Sequence, residues 1–433
     1  MPYYNNDTKL KCFQLLGDKI SKFVISGKKQ LTGEIAVFGA KNAAMKMIAA
    51  SILINGKVIL NNIPDILDIQ KFIEILEKMG GKFLRRQHTL EINLTNLRAG
   101  NPDTDLVKSM RASVVLLGPL LARFGKVKIP HPGGCLIGKR PIDRHIRAFR
   151  ELGVEIEEKD DYYDFKLGKI TKDKISFEKI SVTGTENIIL FASGQDLTLT
   201  IKNAAIEPEI IDLIEFLKKS GAKIIVDGRT INIQGNTHLQ PIEYSVVPDR
   251  IETGTFAILS ALAGNLKITQ INPGHIDSLL KKFDEMGIKF EKGGDWLYIK
   301  KPFQFNSCDL VTAEYPGFAT DLQSPMGVLL TQAKGKSIIT ENIFENRLAY
   351  LAELSKMGAK INIVNSHQAE VFGPTNLHGA KIQSLDLRSG VTLLIAGLIA
   401  QGETEILQAE IIDRGYEKIE ERLQKLGAEI KRV

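Results

Sequence analysis

Two kinds of apolar pattern alternate along the chain. Runs such as AAMKMIAASIL, RASVVLLGPLLARF, ENIILFAS, GTFAILSALA, PMGVLLTQA and GVTLLIAGLIA are apolar on nearly every side. This predicts helices largely buried in a core. Between them a phrase recurs six times, an amphipathic run, a glycine and an alternating segment: ILEKMGGKF, FRELGVEIE, FLKKSGAKI, FDEMGIKFE, LSKMGAKIN and LQKLGAEIK. Its glycines are Gly80, Gly153, Gly221, Gly287, Gly358 and Gly427, 66 to 73 residues apart. Each copy predicts a helix closed by a glycine at positive φ and followed by a strand.

A second phrase, glycine followed by a β-rich segment, starts at Gly56, Gly125, Gly194, Gly264, Gly335 and Gly402, 67 to 71 residues apart. Two independent markers thus define a unit of about 70 residues, read as helix, strand, loop, helix, strand, strand. The fold class is α/β. Solenoid units usually run to about 20–50 residues, so six longer units predict two closed groups of three, divided near residue 247, where VVPDRIETG begins the fourth unit.

Composition narrows the class. The chain has 433 residues, 43% hydrophobic and 25% charged, with a net charge of +6; disorder and a disulfide-framed miniprotein are excluded. At about 150 residues per domain, length alone predicts two or three domains. The opening MPYYNNDTKLKCFQLLGDKISKF has no signal-peptide core, and no apolar run reaches the roughly 18 residues of a membrane span. A cytoplasmic protein is expected. Cys12, Cys135 and Cys308 show no ligand spacing, and neither His145 nor His275 has a Cys or His partner at such spacing, so no metal site is proposed. One Trp and 7% aromatics weigh against nucleic acid, leaving anionic substrates or ordinary lysine usage as the source of the charge.

Aligning the units on their strand glycines places Arg140, Arg347 and Arg414 in one slot, between a strand and the next helix. Arginines there suit an anion site, although solvated or salt-bridged arginines give the same pattern. The second unit's slot, HPGGCLIGKRPIDRHI, sets Cys135 beside Lys139, Arg140 and Arg144. Such neighbours lower a thiol pKa; an inert cysteine is the alternative. Gly133 to Lys139 spells the start of a P-loop, but Arg140 and Pro141 replace what its Mg²⁺ chemistry needs, so a nucleotide triphosphatase is rejected. Lys41 and Asn42 stand where a strand yields to an apolar helix, with helix capping as the plain role for Asn42. Asp321 precedes PMGVLL, where it is either a helix-start carboxylate or a base among arginines; Asp386 and Arg388 hold the matching place one unit on.

The motifs FGAKNAA, DLVKSMRAS, PGGCLIGKRPID, VPDRIETGTF, YPGFATDLQ, FENRLAYLAELSKMGA and IDRGYEKIEERLQKLGAEI together closely resemble the UDP-N-acetylglucosamine 1-carboxyvinyltransferase family, in order from Lys22 to Val433. The resemblance implies a two-domain inside-out α/β barrel of six βαβαββ repeats, three per domain, with phosphoenolpyruvate and UDP-N-acetylglucosamine bound in the cleft between and no cofactor. Residues 22–40 would join 248–433 in one domain, 41–247 would form the other, carrying the Cys135 loop, and 1–21 would be an extension.

By motif, Cys135 resembles the general acid that protonates C3 of phosphoenolpyruvate and can form an adduct with it. Asp321 resembles the base for the sugar 3′-hydroxyl. Lys41, Arg140 and Arg414 would hold phosphate and carboxylate, supported by Asn42 and Arg388. For the sugar nucleotide the resemblance points to Arg111, Arg140, Pro141, Ile142, Asp143, Arg144, Ser181, Val182, Asp321 and Ile343, with the register around Ser181 open by a residue. Ile206 and Ile411 stand where many members carry Arg and His. Cys135 implies alkylation by fosfomycin. No obligate protein partner is implied. The alternatives are the related shikimate-pathway transferase, which lacks a PGGC loop, and a non-catalytic sugar-nucleotide-binding paralogue.

Overall fold

A computed structural model describes residues 21–131 and 142–433. Its contacts divide the chain into two units, one built from residues up to Phe38 with Pro248–Val433, the other from Gly39 to Val247. Among the described residues each unit holds three small sheets, five of the six having four strands.

The apolar runs form the inner helices. In the first unit these are Arg250–Ala263, Thr320–Gln332 and Leu387–Ile399, buried on almost every side and packed on one another. In the second, Leu117–Phe124 packs on Val182–Ser193, and the turn Arg111–Leu116 touches both Val182–Ser193 and Lys41–Ala50. A helix with no polar face has no stable place but a core. The sheets meet these helices with one face: Thr198–Lys202, for example, alternates exposed and buried positions. All six glycines of the first phrase take φ between +79° and +114°, ending the outer helices as expected.

Four-stranded sheets share one pattern. A short edge strand runs parallel to the strand after the inner helix, and two antiparallel strands complete the sheet. Thus Lys174–Ser176 precedes the helix Val182–Ser193 and pairs with Thr198–Lys202 after it. The sequence pattern misses these edge strands, because segments such as Leu310–Val311 are too short to show alternation. They supply the leading β of each βαβαββ unit. The sheet of Lys126–Pro130 has three strands among the described residues.

In two places the edge strands are exchanged. Leu31–Ala36 precedes the inner helix Lys41–Ala50 but pairs with Gly264–Thr269. Conversely, Glu243–Ser245 precedes Arg250–Ala263 but pairs with Lys57–Asn61. The first strand, Lys22–Ser26, lies between Glu403–Leu407 and Glu429–Arg432. Gly264 is required at one exchange, since a Cβ there would lie 1.7 Å from the carbonyl oxygen of Leu31.

Candidate active site

In the first unit two inner helices and one outer helix bring three charged side chains together at their N-termini. Asp321 lies in the first turn of Thr320–Gln332, Arg388 is the second residue of Leu387–Ile399, and Arg347 comes just before the helix Tyr350–Lys356. Arg347 Nη2 donates to Asp321 Oδ1 at 2.6 Å. Arg388 Nε donates to Oδ2 at 2.9 Å, and its Nη2 is ion-paired with the same oxygen at 2.9 Å. Both guanidinium groups are buried, whereas the carboxylate remains 28% exposed. Asp386 caps the Arg388 helix, accepting from the backbone N–H of Arg388 and Ser389 while Ser389 Oγ accepts from the N–H of Asp386.

Arg388 continues inward. Its Nη1 lies 3.3 Å from Tyr416 Oη, which is 2.9 Å from Thr255 Oγ1. Burial alone would lower the Arg388 pKa, but Asp321, Tyr416 and Asp249 hold it above its ordinary value. Burial pushes the Tyr416 hydroxyl up to about 12. Arg414 ends the short turn Ala409–Arg414, two residues before Tyr416. Ile343 donates its N–H to Glu341 Oε1 at 2.8 Å, and the other oxygen of Glu341 accepts from Thr320 Oγ1, tying this loop to the start of the Asp321 helix.

In the second unit Lys41 opens the inner helix and its Nζ lies 3.0 Å from Asp68 Oδ2, both side chains buried. Asp68 sits in the first turn of Leu67–Lys78, where a helix N-terminus favours its charge. Ala40 occupies the N-cap position, so Asn42 is not the cap; it lies half-buried one residue inside the helix. Arg111, also half-buried, begins the turn Arg111–Leu116.

Ile142, buried, precedes the helix Asp143–Glu151, on which Asp143 and Arg144 are exposed. Arg144 Nη1 donates to the carbonyl of Ile180 at 2.9 Å. Ser181 caps Val182–Ser193 by accepting from the N–H of Gly184, and Val182 is exposed beside it. The structure therefore gathers Arg144, Ser181 and Val182 at one helix start. Cys135, Arg140 and Pro141 lie outside the described residues.

Two buried polar groups support this region. His145 Nδ1 accepts from Asn187 Nδ2 at 3.1 Å, leaving Nε2–H to face Thr183 Oγ1 at 3.1 Å. Burial, with Arg111 and Arg144 nearby, lowers its pKa to about 3. Asn187 Oδ1 also accepts from the N–H of Gly118, linking two inner helices. Deeper in, Lys46 and Glu186 form a long ion pair of 3.5 Å. Burial raises Glu186 to about 7 despite Lys46, with Glu207 and Glu209 adding to the effect. Among the described residues no group of His, Cys, Asp and Glu is placed to hold a metal, and no helix is long and apolar enough to cross a membrane.

Sequence reasoning passed over Asp68 and Tyr416. Asp68 is distant in sequence from Lys41, and only its first-turn position in LDIQKF hinted at a role. Tyr416 stands within the quoted IDRGYEK motif, two residues from Arg414.

The chain matches the family model EPSP synthase (3-phosphoshikimate 1-carboxyvinyltransferase) over residues 25–423. The enolpyruvyl transferase NikO of Streptomyces tendae superposes with a TM-score of 0.88 at 22% identity, covering 96% of this chain and 99% of that one. An EPSP synthase of Acinetobacter baumannii gives 0.74 at 16%, covering 96% and 100%. The fold is thus that of the carboxyvinyl transferases, the two-domain inside-out α/β barrel. The UDP-N-acetylglucosamine 1-carboxyvinyltransferase of Desulfosudis oleivorans is 41% identical over 96% of this chain and 100% of its own length. That of Koribacter versatilis is 43% identical over 96% and 97%. The chain belongs to the UDP-N-acetylglucosamine 1-carboxyvinyltransferase family.

Proposed function

We propose that the protein transfers the enolpyruvyl group of phosphoenolpyruvate to the 3′-hydroxyl of UDP-N-acetylglucosamine, releasing phosphate, in the cytoplasm, as the first committed step of peptidoglycan synthesis. The observation that carries this reading is the Asp321 carboxylate held by Arg347 and Arg388 at the mouth of the inner helices, in a chain of this family. Residues 22–40 with 248–433, and 41–247, are its two catalytic domains.

The reaction is an addition followed by an elimination. The sugar hydroxyl gives its proton to Asp321 as its oxygen attacks C2 of phosphoenolpyruvate, and Cys135 protonates C3. Loss of a proton from C3 then expels phosphate and restores the double bond. Lys41, Arg140 and Arg414 bind phosphate and carboxylate and stabilise the negative charge that gathers on the phosphate as it leaves. Arg388, with Arg347, fixes the base in place, and Asn42 supports Lys41. Arg111, Arg140, Pro141, Ile142, Asp143, Arg144, Ser181, Val182 and Ile343 receive the sugar nucleotide. A carboxylate ion-paired on both oxygens has one orientation, which matters more to a base than its average basicity.

The test is phosphate release from phosphoenolpyruvate with UDP-N-acetylglucosamine and, separately, with shikimate 3-phosphate. Release with the sugar nucleotide alone supports the reading. Release with shikimate 3-phosphate alone, or with neither, overturns it.

A further inference from the structure

The penultimate residue of the chain makes more polar contacts than its place on an edge strand requires. Arg432 ends the strand Glu429–Arg432, opposite Phe23 in the first strand, and its guanidinium stacks over the Phe23 ring at 4.6 Å. Both its Nη atoms grip Asp413, Nη1 to Oδ2 at 2.9 Å and Nη2 to Oδ1 at 2.7 Å. The same fork holds Glu420, Nε to Oε1 at 2.6 Å and Nη2 to Oε2 at 3.2 Å. Asp413 precedes Arg414 in the turn Ala409–Arg414, and Glu420 lies in the first turn of the helix Ile419–Lys425. Arg432 therefore clips together the two ends of the loop that carries Arg414 and Tyr416.

That loop needs such a clip. Its limits are two non-glycine residues in the left-handed region, Gln408 at φ +61° and Lys418 at φ +43°, conformations that cost energy and persist only when surroundings enforce them. Its start is pinned again by Ser21, whose N–H and hydroxyl both donate to Glu410 Oε2 at 3.1 Å and whose carbonyl accepts from Ala409. Tyr416, inside the loop, is bound to Arg388.

We infer that Arg432 is a positioning residue for the reaction, acting through Asp413 to set Arg414 for its anion and leaving the sugar-nucleotide residues untouched. The inference rests on the reading of Arg414 given above. Only a planar fork spans both carboxylates, so lysine will not replace it.

The experiment compares the wild type with R432A, R432K, D413N and I430V, measuring phosphate release, both KM values and the unfolding midpoint. R432A, R432K and D413N should each raise the phosphoenolpyruvate KM by about tenfold, with the UDP-N-acetylglucosamine KM within about twofold of wild type. I430V, a core change in the same strand, should lower the midpoint with both KM values unchanged. In an R414K background R432A should add less than about twofold, because the group it positions is already impaired. An unchanged phosphoenolpyruvate KM in R432A, an equal rise in both KM values, rescue by lysine, or full additivity with R414K would overturn the inference. Should R432A not fold, D413N decides by the same criteria. Lack of phosphate release by the wild type overturns the underlying reading instead.

Discussion

Arg388 binds Asp321 through two nitrogens while donating from a third to Tyr416, so one guanidinium joins the partly exposed carboxylate to the hydrogen-bonded interior of its unit. Replacing Asp321 by Asn keeps the shape and removes the proposed proton acceptor. D321N should lower kcat by about 10²–10⁴-fold with substrate KM values little changed. D321A also leaves Arg347 and Arg388 without their carboxylate. Allowing for the partial exposure of Asp321, it should cost about 1–3 kcal/mol in denaturant unfolding.

Lys41 and Asp68 separate stability from activity. Both partners are buried, so removing one deprives the other's charge of this ion pair, and K41M and D68L should each destabilise by about 3–5 kcal/mol. The double variant K41M/D68L should recover most of that loss in thermal unfolding. It should remain inactive in phosphate release, because the ammonium group proposed to meet the anion is gone.

The acid and neutral limbs of the stability curve should have different owners. Glu186 titrates at about 7 in the fold against 4.5 in the unfolded chain. The folded state thus holds its proton more tightly, and its contribution, full below pH 4.5, is lost as pH rises toward 7. His145 is lowered from 6.5 to about 3. Its contribution is therefore full above pH 6.5 and lost as pH falls toward 3. Unfolding free energies across pH 3–8 should lose the first slope in E186Q and the second in H145Q, and each raised or lowered unit corresponds to about 1.4 kcal/mol.

Much of this architecture was legible in the chain because glycine at positive φ and all-apolar helices leave local marks. Gly80 and Gly427 announced helix ends, and GVTLLIAGLIA announced a buried helix, from a few residues each. The edge strands left no such mark, since Leu310–Val311 owes its place to Ile339 and Thr340 beyond the next helix. The site divides likewise. Arg347 could be picked out by the slot it shares with Arg140 and Arg414, and Asp321 and Arg388 by their matching places one unit apart, whereas Asp68 and Glu186 matter through partners that only the packed inner helices bring near. Asn42 was expected as a possible cap, but Ala40 holds that position.

Gly264 should tolerate no side chain. G264A drives a methyl group into the Leu31 carbonyl of the exchanged strand, and should cost about 2–3 kcal/mol in urea unfolding. Gly402, with no atom within 4 Å of its virtual Cβ but φ of +91°, should cost about 1 kcal/mol as G402A, from backbone strain alone.

Fosfomycin provides a direct test of the Cys135 thiol. Incubation with the drug and UDP-N-acetylglucosamine should add one drug mass to the peptide carrying Cys135 and abolish phosphate release. C135S should show neither the added mass nor more than a trace of activity. An unmodified Cys135 peptide after inactivation would refute the assignment.

The exchanged edge strands bear on how such a chain could have arisen and how it can be divided. A gene cut between residues 247 and 248 would not yield two self-sufficient halves. The first product would carry Lys22–Ser26 and Leu31–Ala36 with no sheet of its own to receive them, and the second would lack those same strands from two of its three sheets. If the six units descend from one ancestor by duplication and fusion, the first and fourth traded their leading strands when the halves were joined. Two fragments cut there and expressed together should therefore reassemble only when the first supplies Lys22–Ser26 and Leu31–Ala36 to the sheets of the second, so that the covalent order of the chain and the order of its sheets are out of step.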